Sequence, residues 1–278
     1  MSFLIITTII WSLSFSLIGR NLSTYIDPWS LGLIRTALSV LLFLPFINFK
    51  IKLKRIFVYV SIGFVQLGMM YFFYLNAFTY TSIPKIMLFT IFTPLYVTLF
   101  SSLIYKEFQK SFFLATFLAI FGGLILRYTI INSTDLTGFI LIQLSNICFA
   151  TGQVFYQYYF KLKKTNKYNI DEFGYFFIGA FISFLIGFFM FGNNLELPSN
   201  GIQWLTILWL SFVASGIGYY LWNLGSLKVN SGTLAVMNNL IIPLGLLIEL
   251  LFYKQQIDIQ TLILGFLIIS VSIYLTRK

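Results

Sequence analysis

Polar side chains recur at helical spacing inside the long apolar runs of this chain, and they are the residues that could do chemistry. Gly216, Tyr219 and Asn223 lie at positions i, i+3 and i+7, with Trp222 beside them, so the sequence predicts that they share one helix face. Amide and hydroxyl groups can hydrogen-bond a small polar solute, and leaving them unsatisfied in hydrocarbon costs several kcal/mol. Such a face is predicted to line a cavity.

The same reasoning selects further polar and aromatic residues within apolar runs. Two alternatives stay open: Trp222 could belong to an interfacial aromatic belt, and the adjacent amides Asn238 and Asn239 could form helix-to-helix hydrogen bonds. The proline at position 243 frees the carbonyl of Asn239, which favours a local kink there. The predicted substrate-binding residues are Trp11, Gln66, Tyr71, Tyr74, Asn146, Gln153, Tyr156, Tyr219, Trp222, Asn223, Asn238 and Asn239.

Three ionisable residues lie inside the apolar runs, where charged groups are functional candidates. Arg35 could hold a carboxylate or a phosphate, or it could tie helices together. Lys85 and Glu249 could take part in charge coupling, with Glu249 as a proton site. For these two the alternative is that the side chain reaches from the helix end toward the lipid headgroups.

The composition removes several classes of chemistry. The chain has no histidine and a single cysteine, Cys148, so Cys/His metal sites and imidazole acid–base catalysis are not expected. It has no nucleotide-binding P-loop motif, and its net charge of +10 resides in short loops rather than on a basic folded patch. The sequence therefore predicts no enzyme, no metal, no cofactor and no nucleic-acid partner.

The elements that must position these residues are membrane-spanning helices. Residues are 59% hydrophobic and 9% charged, and the apolar runs are long enough for a helix to cross about 30 Å of hydrocarbon. The first run has no cleavage pattern and is interpreted as a retained helix. An all-α integral membrane protein is predicted, with ten spans at 3–19, 29–49, 56–77, 83–104, 111–129, 137–159, 174–192, 203–224, 232–253 and 260–276.

The distribution of basic residues predicts the orientation of these spans. If the N-terminus is cytoplasmic, the segments on that side hold 13 of the 18 Lys and Arg residues and those on the other side hold 4. The positive-inside rule then places both termini in the cytoplasm and the protein in the inner membrane.

The two halves of the chain repeat each other at a shift of 148 residues. This shift pairs Gly68 with Gly216, Tyr71 with Tyr219 and Tyr74 with Trp222, and it pairs Pro94 with Pro243 after a slip of one residue. Five spans separate equivalent elements, and because five is odd the second half must be inverted. Residues 1–130 and 131–278 are predicted to be two inverted five-helix repeats.

Four segments make the chain resemble the EamA-like ten-helix members of the drug/metabolite transporter superfamily. They are IIWSLSFSLIGRNL (9–22), WSLGLIRTALSVLLFLP (29–45), TIFTPLYVTLFSSLIYKE (90–107) and ASGIGYYLWNLGSLKVNSGTLAVMNNLIIPLGLLIELLFYKQ (214–255). The family often has an acidic residue after the ninth helix, where this chain has Lys254 and Gln255. The resemblance implies a basket of two inverted repeats, a central cavity lined mainly by helices 1, 3, 4, 6, 8 and 9, and translocation of small polar metabolites, commonly amino acids and often outward.

The residues and the resemblance together predict a secondary transporter, an exporter of amino acids or related compounds, that works by alternating access. The partners expected are a small-molecule substrate and the lipid bilayer, with a monomer and a homodimer both open. The alternatives are a membrane-embedded enzyme, for which the chain supplies almost no catalytic groups, and a non-transporting assembly subunit.

Overall fold

The structure is a computed structural model that describes residues 1–126, 135–162, 170–192, 194–254 and 257–277. Within these ranges the chain is helical, and ten helices account for the apolar runs. In chain order, α1 to α10 are Ser2–Asn21, Pro28–Phe46, Leu53–Ala77, Ile83–Tyr105, Lys110–Leu126, Leu136–Leu162, Ile170–Phe191, Gly201–Ser226, Ser231–Tyr253 and Ile259–Leu275.

Helix length follows the thickness of the bilayer. Among the described residues, eight helices are 19 to 27 residues long and apolar enough to cross a membrane, and α5 and α10 are apolar with 17 described residues each. The predicted all-α membrane fold with ten helices is confirmed, and most helix ends agree with the predicted spans to within a few residues. The last residues of the fifth predicted span, 127–129, lie outside the described part of the chain.

Both termini lie at one end of the helix bundle, which we call the termini end. Lys228, in the loop between α8 and α9, places its ammonium 4.4 Å from the ring centre of Phe3. Two residues further on, Asn230 donates a hydrogen bond of 2.6 Å to the carbonyl of Thr276. The loop thus touches the start of α1 and the end of α10, and the other pole of the bundle is called the opposite end.

The helices of the two halves are interleaved rather than packed side by side. Helix α1 packs against α8 and α9, and α6 packs correspondingly against α3 and α4. Two further pairs, α2 with α7 and α5 with α10, also join helices from different halves. This reciprocal packing is what an inverted repeat of five helices produces.

Irregular backbone recurs at equivalent places in both halves. Helix α3 contains a π-helical segment, Phe64–Met69, and α8 contains another, Leu210–Ile217. The 3₁₀ segments Thr90–Phe92 of α4 and Asn238–Leu240 of α9 begin 148 residues apart, with no slip. The backbone of the two halves therefore repeats at a shift of 148 residues, and only the positions of Pro94 and Pro243 depart from this shift by one residue.

Helices α4 and α9 end in the same way. Lys106 follows α4 and Lys254 follows α9, and both adopt left-handed backbone with φ values of 55° and 51°. These lysines are also 148 residues apart, which supports the predicted repeat. The predicted boundary between the repeats, at residues 130 and 131, lies outside the described residues and stays a prediction.

Helices α3 and α7 approach each other closely at a glycine. A Cβ atom added to Gly63 would lie 1.8 Å from the carbonyl oxygen of Phe176, which is backbone and cannot rotate away. Gly201 at the start of α8 would meet nothing within 4 Å.

We expect Gly63→Ala to destabilise the protein by about 3 kcal/mol, because the added methyl group forces α3 and α7 apart. Gly201→Ala, the matched control, should leave stability almost unchanged. Thermal unfolding of the two purified variants in detergent measures the difference. Equal melting temperatures would contradict the close approach of these helices.

Candidate functional site

A cavity of about 740 Å³, measured out to its opening, lies at the centre of the helix bundle. Helices α1, α3, α4, α6, α8 and α9 contribute to its wall, as the family resemblance implies, and α2 contributes Arg35 in addition. The lining residues are Thr8, Trp11, Ser14, Phe15, Ile18, Arg35, Met70, Tyr71, Tyr74, Thr90, Thr93, Ser145, Asn146, Phe149, Tyr219, Trp222, Met237, Asn238 and Ile241.

The structure brings together a large part of the predicted site in this wall. Seven predicted substrate-binding residues line the cavity, and so does Arg35. Together with Arg35, these residues come from six helices that are distant in sequence. The fold therefore assembles them, and local spacing does not. The seven are Trp11, Tyr71, Tyr74, Asn146, Tyr219, Trp222 and Asn238.

Several lining residues were missed because their types carry no strong signal within an apolar helix. The hydroxyls of Thr8, Ser14, Thr90 and Thr93 are common in membrane helices for packing reasons. Helical spacing could have found Phe149, which lies three residues after Asn146 and four before Gln153 on the same helix face.

Four aromatic rings from three helices form one wall of the cavity, which we call the aromatic wall: Trp11, Phe149, Tyr219 and Trp222. The ring centre of Trp11 lies 4.9 Å from that of Tyr219 and 5.0 Å from that of Trp222. Both indole N–H groups have partners. Trp11 donates to the carbonyl of Ala214 at 2.8 Å, and Trp222 donates to the side-chain oxygen of Gln153 at 3.0 Å.

The bond from Trp11 ends on the π-helical segment of α8. A π-helix leaves backbone groups without the usual partner, and the Ala214 carbonyl finds one in the Trp11 indole. The same segment changes the register of α8, so that Gly216 faces Leu42 of α2. The predicted shared face of Gly216 and Tyr219 is thereby corrected: only Tyr219 lines the cavity.

Arg35 is the charged residue among those that line the cavity, and it is 1% exposed. Its Nη2 atom donates to the Tyr71 hydroxyl at 2.8 Å and to Ser215 Oγ at 3.2 Å, and the guanidinium lies 4.3 Å from the centre of the Tyr71 ring. Nε and Nη1 have no hydrogen-bond partner. None of the lining residues is acidic, so the N–H groups on two nitrogen atoms of a buried cation remain for an anion.

Asn146 lines the cavity and also forms hydrogen bonds to α4 at its irregular segment. Its amide donates to the carbonyl of Phe89 at 3.0 Å, and its oxygen accepts from the Thr93 hydroxyl at 3.0 Å. Pro94 has no N–H to offer to the carbonyl of Thr90, and Thr93 Oγ1 bonds that carbonyl instead at 2.8 Å. The contacts of Asn146 therefore fix the local backbone at the cavity edge.

The adjacent amides Asn238 and Asn239 have different surroundings. Asn238 lines the cavity and donates only to its own helix, to the carbonyls of Leu234 and Ala235. Asn239 is fully buried outside the cavity and donates to the carbonyls of Ile91 and Ala119, both at 3.1 Å. For Asn239 the open alternative, a helix-to-helix hydrogen bond, is the arrangement that the structure has.

Tyr156 also lies away from the cavity. Its ring packs 4.5 Å from that of Phe160 and 6.3 Å from that of Tyr59, near the termini end. The polar pair beside it is Arg55 of α3 with Glu172 of α7, whose charged groups are 2.5 Å apart. Tyr156, a predicted substrate-binding residue, therefore does not lie in the cavity wall, because this aromatic packing turns it toward α3.

Lys85 and Glu249 form ion pairs at the opposite end of the bundle and do not line the cavity. Lys85 bonds Asp135 at 2.6 Å. Glu249 is 2% exposed; it accepts from Ser16 and pairs with Arg20 at 2.7 Å. Neither side chain reaches toward lipid as the alternative interpretation expected, and both instead join helices, α4 to the start of α6 and α9 to α1.

Three more predicted residues, Gln66, Gln153 and Asn223, lie just beyond the cavity. All three are fully buried, and none is part of the cavity wall. Gln153 touches the wall through its bond to Trp222, and Asn223 follows Trp222 directly in α8.

Comparisons with known proteins agree on the family and the fold. The EamA-like transporter family matches residues 1–129 and 136–277. A biotin transporter of Escherichia coli (strain K12) is 39% identical, covering 100% of this chain and 93% of its own length. A probable biotin transporter of Pseudomonas aeruginosa is 35% identical, covering 100% and 97%. One crystal structure of a protein, 16% identical, superposes with a TM-score of 0.77 over 99% of this chain and 98% of its own.

We expect Asn239→Leu to lower the stability of the protein by about 2 kcal/mol, because it leaves the Ile91 and Ala119 carbonyls without their donor. Asn238→Leu is the matched control, since it removes only bonds within one helix turn. Melting temperatures of both variants in the same detergent test the difference. A greater loss in Asn238→Leu would contradict the structural role of Asn239.

Proposed function

Because this chain belongs to the EamA-like transporter family, we propose that its substrate is biotin, bound in the central cavity and carried by alternating access. Membership makes the protein a membrane transporter and not an enzyme. Relatives at 35–39% identity across the whole chain are named biotin transporters or probable biotin transporters. They lend no support to the predicted amino-acid substrate.

The observation that carries the proposal is that Nε and Nη1 of buried Arg35 have no hydrogen-bond partner. Biotin ends in a carboxylate, which accepts charge-assisted hydrogen bonds from guanidinium N–H groups such as these. The Tyr71 hydroxyl and Ser215 bind Nη2, so the guanidinium is held in one orientation before a ligand arrives. Burial of Arg35 strengthens its attraction for an anion, because little water competes.

The aromatic part of the cavity wall suits the apolar chain and the rings of biotin. Biotin carries an apolar chain and a fused ring pair, and the aromatic wall of Trp11, Phe149, Tyr219 and Trp222 offers the flat apolar surface that such rings pack against. An amino acid would bring an ammonium group into the same space. The cavity wall holds no carboxylate to pair with it, and Arg35 would repel it.

We expect Arg35→Met to weaken biotin binding by about 100-fold, equivalent to about 3 kcal/mol, because the carboxylate loses its only cation in the cavity wall. Equilibrium binding of labelled biotin to the purified protein, and uptake into proteoliposomes, measure the loss. Exposed Arg277→Gln is the matched control and should bind normally.

A neutral analogue separates charge recognition from misfolding. Biotin amide should bind the wild-type protein much more weakly than biotin does, and Arg35→Met should bind the two compounds about equally. If Arg35→Met still prefers biotin, the guanidinium is not the carboxylate site. If wild-type protein binds amino acids and no biotin, the proposed substrate is wrong.

We further propose that the protein lies in the inner membrane with both termini in the cytoplasm, on the basis of its basic loops. With Cys148→Ala as background, Tyr25→Cys at the opposite end should react with a membrane-impermeant maleimide in intact cells. Gln109→Cys at the termini end should react only after the cells are opened. Both residues are exposed. The reverse labelling pattern would invert the orientation.

A further inference from the structure

Three buried amide side chains extend the cavity faces by one helical turn. Gln66, Gln153 and Asn223 belong to α3, α6 and α8, and all three are displaced from the cavity in the same direction, toward the termini end. Each lies four residues from a residue of the cavity wall; the pairs are Met70 with Gln66, Phe149 with Gln153, and Tyr219 with Asn223.

These amides have polar atoms without hydrogen-bond partners, although all three residues are 0% exposed. The unpaired atoms are Gln66 Nε2, Gln66 Oε1, Gln153 Nε2 and Asn223 Oδ1. The hydrogen-bond partners of the other amide atoms show which atom of Gln153 and of Asn223 is the oxygen and which is the nitrogen. The Trp222 indole can only donate, so it bonds Gln153 Oε1, and the Tyr219 carbonyl can only accept, so it bonds Asn223 Nδ2.

Keeping these atoms buried and unpaired is costly for the fold. Each unsatisfied amide atom costs about 1–3 kcal/mol, whereas apolar side chains of similar size would cost nothing of the kind. The contact between α3 and α6 is tight here, because Gly152 lies directly against Gln66: an added Cβ would be 2.2 Å from Gln66 Cβ. The helices thus pack around amide atoms that have no hydrogen-bond partner in the described part of the structure.

The unpaired set comprises two donors and two acceptors, and this is the complement of a cyclic urea. The carbonyl of a urea accepts from two N–H groups, here from Gln66 and Gln153. Its two N–H groups donate to two oxygens, here Gln66 Oε1 and Asn223 Oδ1.

We propose that Gln66, Gln153 and Asn223 form a second, closed binding site that receives the urea ring of the substrate during passage toward the termini end. The inference rests on the proposed function, since it assumes biotin as the cargo. It adds a position that the central cavity lacks, one turn deeper and specific for the urea end of the molecule.

Trp222 separates the second site from the cavity. Its ring belongs to the aromatic wall, and its N–H holds Gln153. Movement of this indole would open the way between the two positions and would release Gln153 Oε1 as a further acceptor. Trp222 is therefore a positioning residue for the second site.

The test uses Gln66→Met, which keeps the volume of the side chain and removes both of its polar atoms. We expect biotin binding at equilibrium to change by no more than about twofold, because Arg35 remains. The rate of biotin transport in proteoliposomes should fall about tenfold, because the substrate loses two hydrogen bonds in the second site. Gln109→Met, an exposed loop variant, is the matched control.

A biotin analogue methylated on one urea nitrogen distinguishes recognition from a structural defect. Wild-type protein should carry it about tenfold more slowly than biotin, and Gln66→Met should carry both at similar rates. The melting temperature of Gln66→Met should be unchanged or higher. Transport of biotin by Gln66→Met at the wild-type rate, with its preference intact, would overturn the second site and leave the proposed function standing. Absence of biotin binding by wild-type protein would overturn both.

Discussion

The central constraint on this molecule is that polar groups within a membrane must find partners inside the protein. At three places where a helix is irregular, a side chain supplies a hydrogen-bond donor: Asn146 for the Phe89 carbonyl, Asn239 for Ile91, and Trp11 for Ala214. Broken helices at these places give the cavity its irregular edges. The unpaired atoms of Arg35 and of the amides Gln66, Gln153 and Asn223 lie in or beside the cavity, where a solute has something to bind.

The cavity is bracketed by two aromatic layers. The aromatic wall closes it toward the termini end. On the other side Tyr74 packs edge-on against Phe15 at 5.7 Å and against Phe78 at 5.2 Å. Beyond this second layer the ion pair of Arg20 and Glu249 ties α1 to α9. A tryptophan-to-amide hydrogen bond thus secures one side, and a charged pair secures the other.

The sequence predicts the fold more completely than the site for a physical reason. Run length and loop charge suffice to find membrane helices, because the bilayer imposes both. The direction of a side chain depends on local backbone: the 3₁₀ segment Asn238–Leu240 turns one of two adjacent asparagines toward the cavity and the next toward α4 and α5. The π-helical segment of α8 likewise separates Gly216 from Tyr219. Ion pairs such as that of Glu249 join helices far apart in sequence, and no local spacing reveals them.

If the cargo is an anion, as proposed, Arg35 decides which step of the transport cycle responds to the membrane voltage. An anion neutralises the cavity when it binds, whereas the empty cavity keeps one positive charge. If each cycle delivers a monoanion and returns the carrier empty, one net charge crosses the bilayer. A membrane potential of 100 mV then changes the free energy of one transport cycle by about 2.3 kcal/mol. A negative interior opposes inward movement of the anion. With an anionic cargo, the single buried guanidinium thus assigns the voltage dependence to the return of the empty carrier, and accumulation of the cargo inside the cell needs a compensating cation or rapid consumption of the cargo.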